Sequence, residues 1–168
     1  LETLARMSCN PAMGGVAKGQ IIREIDALGG MSAIVTDASA IQFRMLNKSK
    51  GPAMWSPRAQ CDKKVFEKQW RKTLEENKNI DFWQDTVDNI TTKKGNVTGI
   101  ITKMGVEINS KSIVLCSGTF LNGLIHLGKK NYKGGRAGEP SAEGITKQLI
   151  ELGFTRGRMK TGTPPRLD

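Results

Sequence analysis

The sequence has few of the residues from which disulfide frameworks and metal centres are built. It contains one histidine, His126, and three widely spaced cysteines, at positions 9, 61 and 116. No Cys-x-x-Cys pair is present, so we expect no metal site. An odd number of cysteines argues against a secreted disulfide framework. These features predict a reducing compartment, either the cytoplasm, which we favour, or an organelle with reducing chemistry.

Long apolar runs are also absent. None reaches the roughly 20 residues that a membrane-spanning helix needs, so we expect no membrane partner. A Gly-x-Gly-x-x-Gly dinucleotide motif is missing as well. The chain begins at Leu1 and ends just after a Thr-Gly-Thr-Pro-Pro run. We interpret it as a piece of a longer protein.

Basic residues are in clear excess. Lysine and arginine number 26 against 16 acidic residues, for a formal net charge of +10. Such an excess favours a polyanionic partner, either nucleic acid or an anionic membrane. The alternative is a soluble basic protein without such a partner. The charge is spread along the chain, which indicates a folded basic face and not a flexible arm.

The most distinctive short stretch is Ser-Cys-Asn-Pro-Ala-Met-Gly-Gly at residues 8–15. Pro11 restricts its own backbone and biases Asn10 away from the helical region. The two glycines permit a tight turn or a close backbone approach. A helix N-terminus beside a thiol favours the reactive thiolate and attracts phosphate. From these residues alone, Cys9 is either chemically active or incidental to a structural loop.

Periodicity predicts mixed α and β structure in the first half. Apolar residues at helical spacing predict a helix over 19–28, and alternation predicts a strand over 41–46. We expect Ser56 and Pro57 to open a long helix as N-cap and first helical residue. Its apolar face is predicted to carry Ala59, Phe66, Trp70 and Leu74.

In the second half the period changes to two. Residues 80–110 predict a β-meander, with a hairpin turn at residues 93–96. Residues 111–116 suggest a buried strand that ends in Ser117, Gly118 and Thr119. The end of a strand is where α/β sheets place ligands, although a plain tight turn fits equally well. A glycine-rich loop at 134–138 carries Arg136, and a last helix is predicted over 141–152.

Four stretches together resemble one family, the flavin-dependent tRNA-modifying enzymes called MnmG or GidA. They are residues 8–15, 50–62, 134–140 and 157–166. Each is long and mixed in composition, and the resemblance covers essentially the whole chain. It implies an α/β fold, part of a glutathione-reductase-type, Rossmann-like FAD-binding domain with a β-meander. The N-terminal Gly-x-Gly-x-x-Gly βαβ unit of that domain is lacking here.

The resemblance also implies a function for the longer protein. Its members install a carboxymethylaminomethyl group on carbon five of the wobble uridine of tRNA, with the MnmE GTPase as partner. FAD is the cofactor, NADH the reductant and methylenetetrahydrofolate the one-carbon donor, and the enzyme is a homodimer. Residues 1–168 would form part of the FAD-binding domain, with an inserted α/β region starting at about residue 120. We expect the piece by itself to be inactive.

Site residues follow from the same resemblance. Cys9 matches the cysteine implicated in activity near the flavin, and Arg136 matches a basic residue used on tRNA. The remaining matches are expected at the cofactor. They are Val87, Ala142, Gly118, Thr119, Asn10 and Arg58.

Two other functions remain open. One is a folate- and FAD-dependent tRNA uridine methyltransferase of the TrmFO type, which the residues at 58–62 and 160–166 fit less well. The other is a non-catalytic RNA-binding module whose basic charge is its whole function. Flavin absorbance in the full-length protein separates that module from either enzyme.

Overall fold

The computed structural model of the chain describes residues 2–7 and 10–162. They form two compact units, one extending to Phe82 and the other running from Trp83 to Gly162. Within that part of the chain, the fold combines four α-helices with three small sheets, all paired in antiparallel fashion. The predicted α/β class is therefore confirmed. None of these helices combines the length and apolar character that crossing a bilayer requires.

The first unit is a three-stranded sheet with helices packed around it. The sheet has the strand order β1-β3-β2. Two short 3-10 turns, at Lys48–Lys50 and Pro52–Met54, connect β2 to β3. In chain order the regular elements are β1 (Ala12–Gly14), α1 (Lys18–Ala27), α2 (Ser32–Ser39), β2 (Ala40–Leu46), β3 (Ser56–Cys61) and α3 (Lys63–Glu75).

One face of this sheet carries the core of the first unit. Ala59 and Cys61 of β3 are buried there against Val35 of α2 and Phe66 of α3. The rings of Phe66 and Trp70 meet edge to face, with centroids 6.5 Å apart. This confirms the apolar face predicted for the long helix at these two residues.

The predicted start of that helix is wrong. Residues 56–61 form β3, the central strand, and Asp62 caps the helix instead. The Asp62 carboxylate accepts hydrogen bonds from the backbone N–H groups of Lys64, at 2.8 Å, and Val65, at 3.0 Å. A proline has no backbone N–H to donate to a neighbouring strand. Pro57 is tolerated because β1 ends at Gly14, opposite Arg58, so that Pro57 pairs with β2 alone. Ala59 and Arg58 are therefore strand residues.

The second unit contains two separate sheets and one helix. Strands β4 (Val87–Lys93), β5 (Asn96–Thr102) and β6 (Glu107–Asn109) form a meander in that order. Lys94 and Gly95 have φ values of 50° and 79°, as a two-residue hairpin turn requires. The predicted hairpin is confirmed. Strands β7 (Leu124–Leu127) and β8 (Lys130–Lys133) pair as a second hairpin, and α4 spans Ile145–Glu151.

The strand predicted over residues 111–116 does not form. No described strand lies beside this segment, and it has no regular secondary structure. Val114 is 86% exposed and Cys116 is exposed as well. An apolar run becomes a strand only where another strand pairs with its backbone, and the described part of the chain supplies none here.

Candidate functional site

The Cys9 loop is described from Asn10 onward, and Cys9 itself lies outside the described residues. Asn10 is exposed and immediately precedes the loop entry into β1. Its carbonyl accepts a hydrogen bond from the N–H of Ala12 at 2.7 Å, which closes a tight turn over Pro11. Ala12 is buried. The end of the motif is thus anchored in the sheet while Asn10 stays accessible.

The carbonyl group of Pro57 lies against both this loop and the start of α1. The N–H of Gly15 donates to the Pro57 carbonyl at 2.8 Å, and Gly14 has a φ of 109°. A Cβ atom on Gly14 would overlap that carbonyl oxygen, and one on Gly19 would lie 2.9 Å from it. Only glycine therefore allows both the loop and the first turn of α1 to approach the strand so closely.

Arg58 lies on the sheet face opposite the core. It is directly paired with Gly14 of β1 on one side and with Arg44 of β2 on the other. Its side chain is half-buried, and its Nη2 donates to Gln60 Oε1 over a long 3.5 Å. Sequence reasoning missed Arg44, because alternation places it on the polar side of β2 but does not give the register to β3.

Four of the predicted residues meet in one loop cluster of the second unit. Thr119 donates its hydroxyl to the Gly135 carbonyl at 2.6 Å. Gly135 is buried beneath the ring of Phe120, where any Cβ would overlap the ring. Gly118 precedes Thr119 in the turn, with a φ of 54° and open space around it. Ala142 and Arg136 complete this group.

Ala142 holds the cluster together through its backbone. Its N–H donates to the Phe120 carbonyl at 2.8 Å, and its own carbonyl accepts from Asn122 at 2.9 Å. Both main-chain groups are therefore engaged within the chain. The contact that Ala142 can still offer a ligand is its small side chain, which is half-buried.

Val87 begins β4 at the outer edge of the meander. A Cβ on Gly144, two residues after Ala142, would lie 3.3 Å from the carbonyl oxygen of Asp88. Further along β4, the amide of Gln148 accepts from the Ile90 N–H at 2.8 Å and donates to the Ile90 carbonyl at 2.6 Å. These contacts bring the Val87 end of β4 beside the loop that carries Ala142.

Arg136 is held in place by two neighbours. Its Nη1 lies 3.2 Å from Glu139 Oε1, and its guanidinium carbon lies 5.6 Å from the centre of the Phe120 ring. The side chain remains 24% exposed. A guanidinium fixed by a carboxylate and an aromatic ring keeps other N–H groups available for a phosphate.

Asp85 is the main electrostatic feature of the meander. The hydroxyl of Thr102 is the principal cause that lowers the pKa of Asp85 below its ordinary value of 3.8. The N–H groups of Thr86, at 2.7 Å, and Met104, at 3.2 Å, also donate to this carboxylate. Lys103 acts in the same direction on the pKa, while desolvation opposes it. Asp85 therefore braces the turn between β5 and β6.

No group of three or more histidine, cysteine or acidic side chains in the described part of the chain is placed to hold an ion. Gly118 lies in an exposed turn, and no atom lies within 4 Å of the position that an added Cβ would take. An exposed glycine turn of this kind fits the close approach of a flat ligand.

The site residues fall into two groups. Gly118, Thr119, Ala142 and Arg136 share the loop cluster, with Val87 beside it through Asp88 and Gly144. Asn10 and Arg58 belong to the first unit, at β1 and β3.

The fold of these two units, with small antiparallel sheets, packed helices and glycine-rich loops, is that of a segment of a mixed α/β protein. The family model described as "Glucose inhibited division protein A", GIDA, matches residues 1–168. The chain therefore belongs to the GidA family.

Curated relatives and solved structures agree with this assignment. The chain is 64% identical to a protein of Cytophaga hutchinsonii and 63% identical to one of Flavobacterium johnsoniae, over its whole length. Both are named tRNA uridine 5-carboxymethylaminomethyl modification enzyme MnmG. The chain spans 27% of the length of each of these relatives.

Aquifex aeolicus GidA superposes on 97% of the chain with a TM-score of 0.89 and 47% identity, and 27% of that protein is covered. A GidA-related protein from Thermus thermophilus superposes on only 56%, with a TM-score of 0.51, 26% identity and 42% of that protein covered. The close match to GidA confirms the predicted fold as a segment of its α/β architecture.

Proposed function

We propose that this chain is a segment of a flavin-dependent enzyme that modifies carbon five of the wobble uridine of tRNA. The observation that carries the proposal is identity of 64% over the whole chain to a protein named for the carboxymethylaminomethyl modification of tRNA uridine. Identity at that level over the whole chain favours a shared reaction. A segment that is 27% of its relative's length contributes part of the site, and we expect it to be inactive alone.

FAD is the proposed cofactor, and it would supply the electron and one-carbon transfer that side chains cannot perform. In this segment Val87 and Gly118 are the residues best suited to contact it. Val87 begins the outer strand of the meander, and Gly118 faces open space. Thr119 and Ala142 are proposed to shape the surface beside the cofactor. Their hydroxyl and main-chain groups are hydrogen bonded within the loop cluster, which holds them in place. Asn10 and Arg58, which belong to the first unit, are separately proposed as cofactor contacts.

The substrate side of the proposal rests on charge. Arg136 is held with part of its guanidinium exposed, and we propose that it contacts a tRNA phosphate. A net charge of +10 supports a salt-dependent attraction to the rest of the tRNA. The anticodon loop presents unpaired bases, so a wobble uridine reaches a flavin at little energetic cost.

Cys9 is the proposed catalytic residue. Gly14 and Gly15, which follow it, allow the loop to pack closely against β3. Gly19 allows the start of α1 to approach the same strand. We further propose NADH as reductant, methylenetetrahydrofolate as one-carbon donor, the MnmE GTPase as partner and a homodimer as the assembly. A tRNA substrate also suits the cytoplasm, as do Cys61 and Cys116, which are free cysteines in the described part of the chain.

A chimeric enzyme tests the proposal. In it, this chain replaces the matching segment of the Cytophaga hutchinsonii relative. We expect the purified chimera to show flavin absorbance bands, and to restore the modified nucleoside in the tRNA of a strain that lacks its own enzyme. Mass spectrometry of digested tRNA measures that nucleoside.

The matched control is the relative with its own segment. A chimera that folds and binds tRNA but lacks both flavin and the modified nucleoside would contradict the proposal. A methylated uridine in place of the expected nucleoside would instead favour the methyltransferase.

A further inference from the structure

The face of the first sheet that lies opposite the core is lined with hydrogen-bond donors. In the register of β2 with β3, Gln42 pairs with Gln60 and Arg44 pairs with Arg58. Residues directly opposite in an antiparallel sheet share a face, and their Cβ atoms lie about 5 Å apart. The core residue Ala59 alternates with them and points to the other side. Two arginines and two glutamines therefore form one polar patch.

Two like charges directly opposite each other in a sheet are destabilising. Strands β1, β2 and β3 contain no aspartate or glutamate, and neither arginine is ion paired with a described residue. The one hydrogen bond of the Arg58 guanidinium among the described residues is the 3.5 Å contact to Gln60. Because Arg58 is also half-buried, its charge is only partly solvated. The direct pairing of these two arginines is therefore electrostatically unfavourable.

The third strand leaves room beside this pair. β1 places Gly14 opposite Arg58 and Ala12 opposite Gln60, so β1 itself contributes no large side chain to that flank. Gly14 cannot be enlarged, because a Cβ there would overlap Pro57. The patch is thus bordered by small residues on the β1 side, and a compact anion can approach it from the β2 side, where Gln42 and Arg44 are exposed.

We propose that Arg44 and Arg58 together bind a phosphate group. The planar guanidinium is suited to phosphate oxygens through paired hydrogen bonds, and the amides of Gln42 and Gln60 add neutral donors. A bound phosphate would remove the repulsion between the two arginines. The phosphate can come from a dinucleotide cofactor or from an RNA backbone, which present the same chemistry. The site itself does not depend on the proposed function.

Thermal unfolding of the chain, at about 0.15 M salt and with increasing inorganic pyrophosphate, tests the site. We expect a saturable rise in Tm for the unsubstituted chain. Arg44→Gln and Arg58→Gln should each weaken pyrophosphate binding by about tenfold or more, since each removes charge-assisted hydrogen bonds. Without pyrophosphate, neither variant should be less stable than the unsubstituted chain, because a repulsion has been relieved.

A double variant supplies the matched control. Arg23→Gln combined with Lys68→Gln also removes two positive charges, but from the exposed surfaces of α1 and α3. It should bind pyrophosphate within about twofold of the unsubstituted chain, because screened distant charges contribute little. Equal losses in this control and in Arg44→Gln with Arg58→Gln would overturn the proposal. So would a chain whose Tm does not respond to pyrophosphate, or arginine variants destabilised without it.

Two further arms identify the source of the phosphate. The same titration is run with FAD and with an RNA stem-loop that carries a wobble uridine. A response to either that is lost with Arg44→Gln supports the proposal and names the source, and no such response to either ligand counts against it. These arms also separate the two proposals, since the chimera can lack activity while the chain still binds pyrophosphate.

Discussion

Gly14 lies against Pro57 so closely that a Cβ atom on Gly14 would overlap the Pro57 carbonyl oxygen. The same oxygen accepts the N–H of Gly15 at 2.8 Å. A proline in the central strand thus serves as the support for the loop that follows Cys9. This hydrogen bond lies one residue beyond the last pair of β1 with β3, which joins Gly14 and Arg58.

Replacing Gly14 with alanine should destabilise the chain by about 1–3 kcal/mol, through strain at a φ of 109° and the overlap with Pro57. The free energy of unfolding in urea measures this loss.

Gly15→Ala is the control for that substitution. Gly15 also has a positive φ, 91°, but nothing lies within 4 Å of an added Cβ. We therefore expect a smaller loss, about 1 kcal/mol, from backbone strain alone. Equal losses at the two positions would show that contact with Pro57 does not matter.

Gln148→Leu should destabilise the second unit by about 1–3 kcal/mol. The substitution keeps the size of the side chain but removes both hydrogen bonds to the backbone of Ile90, a buried residue. Urea unfolding measures the loss. The neighbouring Lys147→Leu, at an exposed position, should change stability by about 0.5 kcal/mol at most, and a comparable effect there would refute the assignment.

Asp85 should make stability depend on pH in acid. Because the pKa of Asp85 is lowered in the folded state, mainly by the Thr102 hydroxyl, its contribution is fully present above the unfolded pKa of 3.8. The contribution is lost as the pH falls through the lower folded pKa. Asp85→Asn should therefore be less stable than the unsubstituted chain at neutral pH, with a difference that shrinks below about pH 4. Unfolding curves across this range measure it, and a pH-independent difference would exclude the carboxylate as its source.

Cys9→Ser in the chimera should reduce tRNA modification to background while leaving folding intact. Serine is close in size to cysteine but lacks the thiolate as a nucleophile. The modified nucleoside is measured by mass spectrometry, and circular dichroism checks the fold. Cys61→Ser, at a buried core position, is the contrasting variant, with stability lowered and modification retained in the folded fraction. Normal modification by Cys9→Ser would remove Cys9 from the catalytic role.

Arg136→Gln in the chimera should weaken tRNA binding and lower the salt slope of log K by about 1, as expected for one lost phosphate contact. Fluorescence anisotropy across a salt series gives both quantities. Arg136→Lys should keep the slope but bind less tightly, because lysine cannot reproduce the planar contacts with Phe120 and Glu139. Lys147→Gln removes a charge on α4 and should leave the slope unchanged. A slope unaffected by Arg136→Gln would make Arg136 purely a support for the loop.

Local signals in the sequence predicted several elements correctly. Apolar spacing located α1, and the pair Lys94–Gly95 located a hairpin turn, because such features depend on neighbours a few residues apart. They failed at Ser56 and Pro57, where a plausible helix start competes with a better one at Asp62. The choice there depends on pairing with β1 and β2, which no local pattern contains.

The candidate site also combines features that the sequence establishes with contacts that it only predicts. The motifs at residues 8–15 and 134–140 determined the family, since long stretches of mixed composition are specific even without a structure. Whether Val87, Gly118 and Ala142 contact a cofactor, and whether Arg136 contacts tRNA, are still predictions. Residues 111–116 show the limit of such reasoning, because an apolar run becomes a strand only beside a partner.

The sequence by itself determined the composition, the basic charge, the short-range turns and helices, and the motifs that mark the family. Only the tertiary structure decided that Thr119 bonds to Gly135, that Gln148 brackets Ile90 and that Arg44 faces Arg58. Each of these pairs is separated by many residues along the chain. Their contact follows from strand register and loop packing, which arise from the cooperative burial of the whole unit and not from any local stretch.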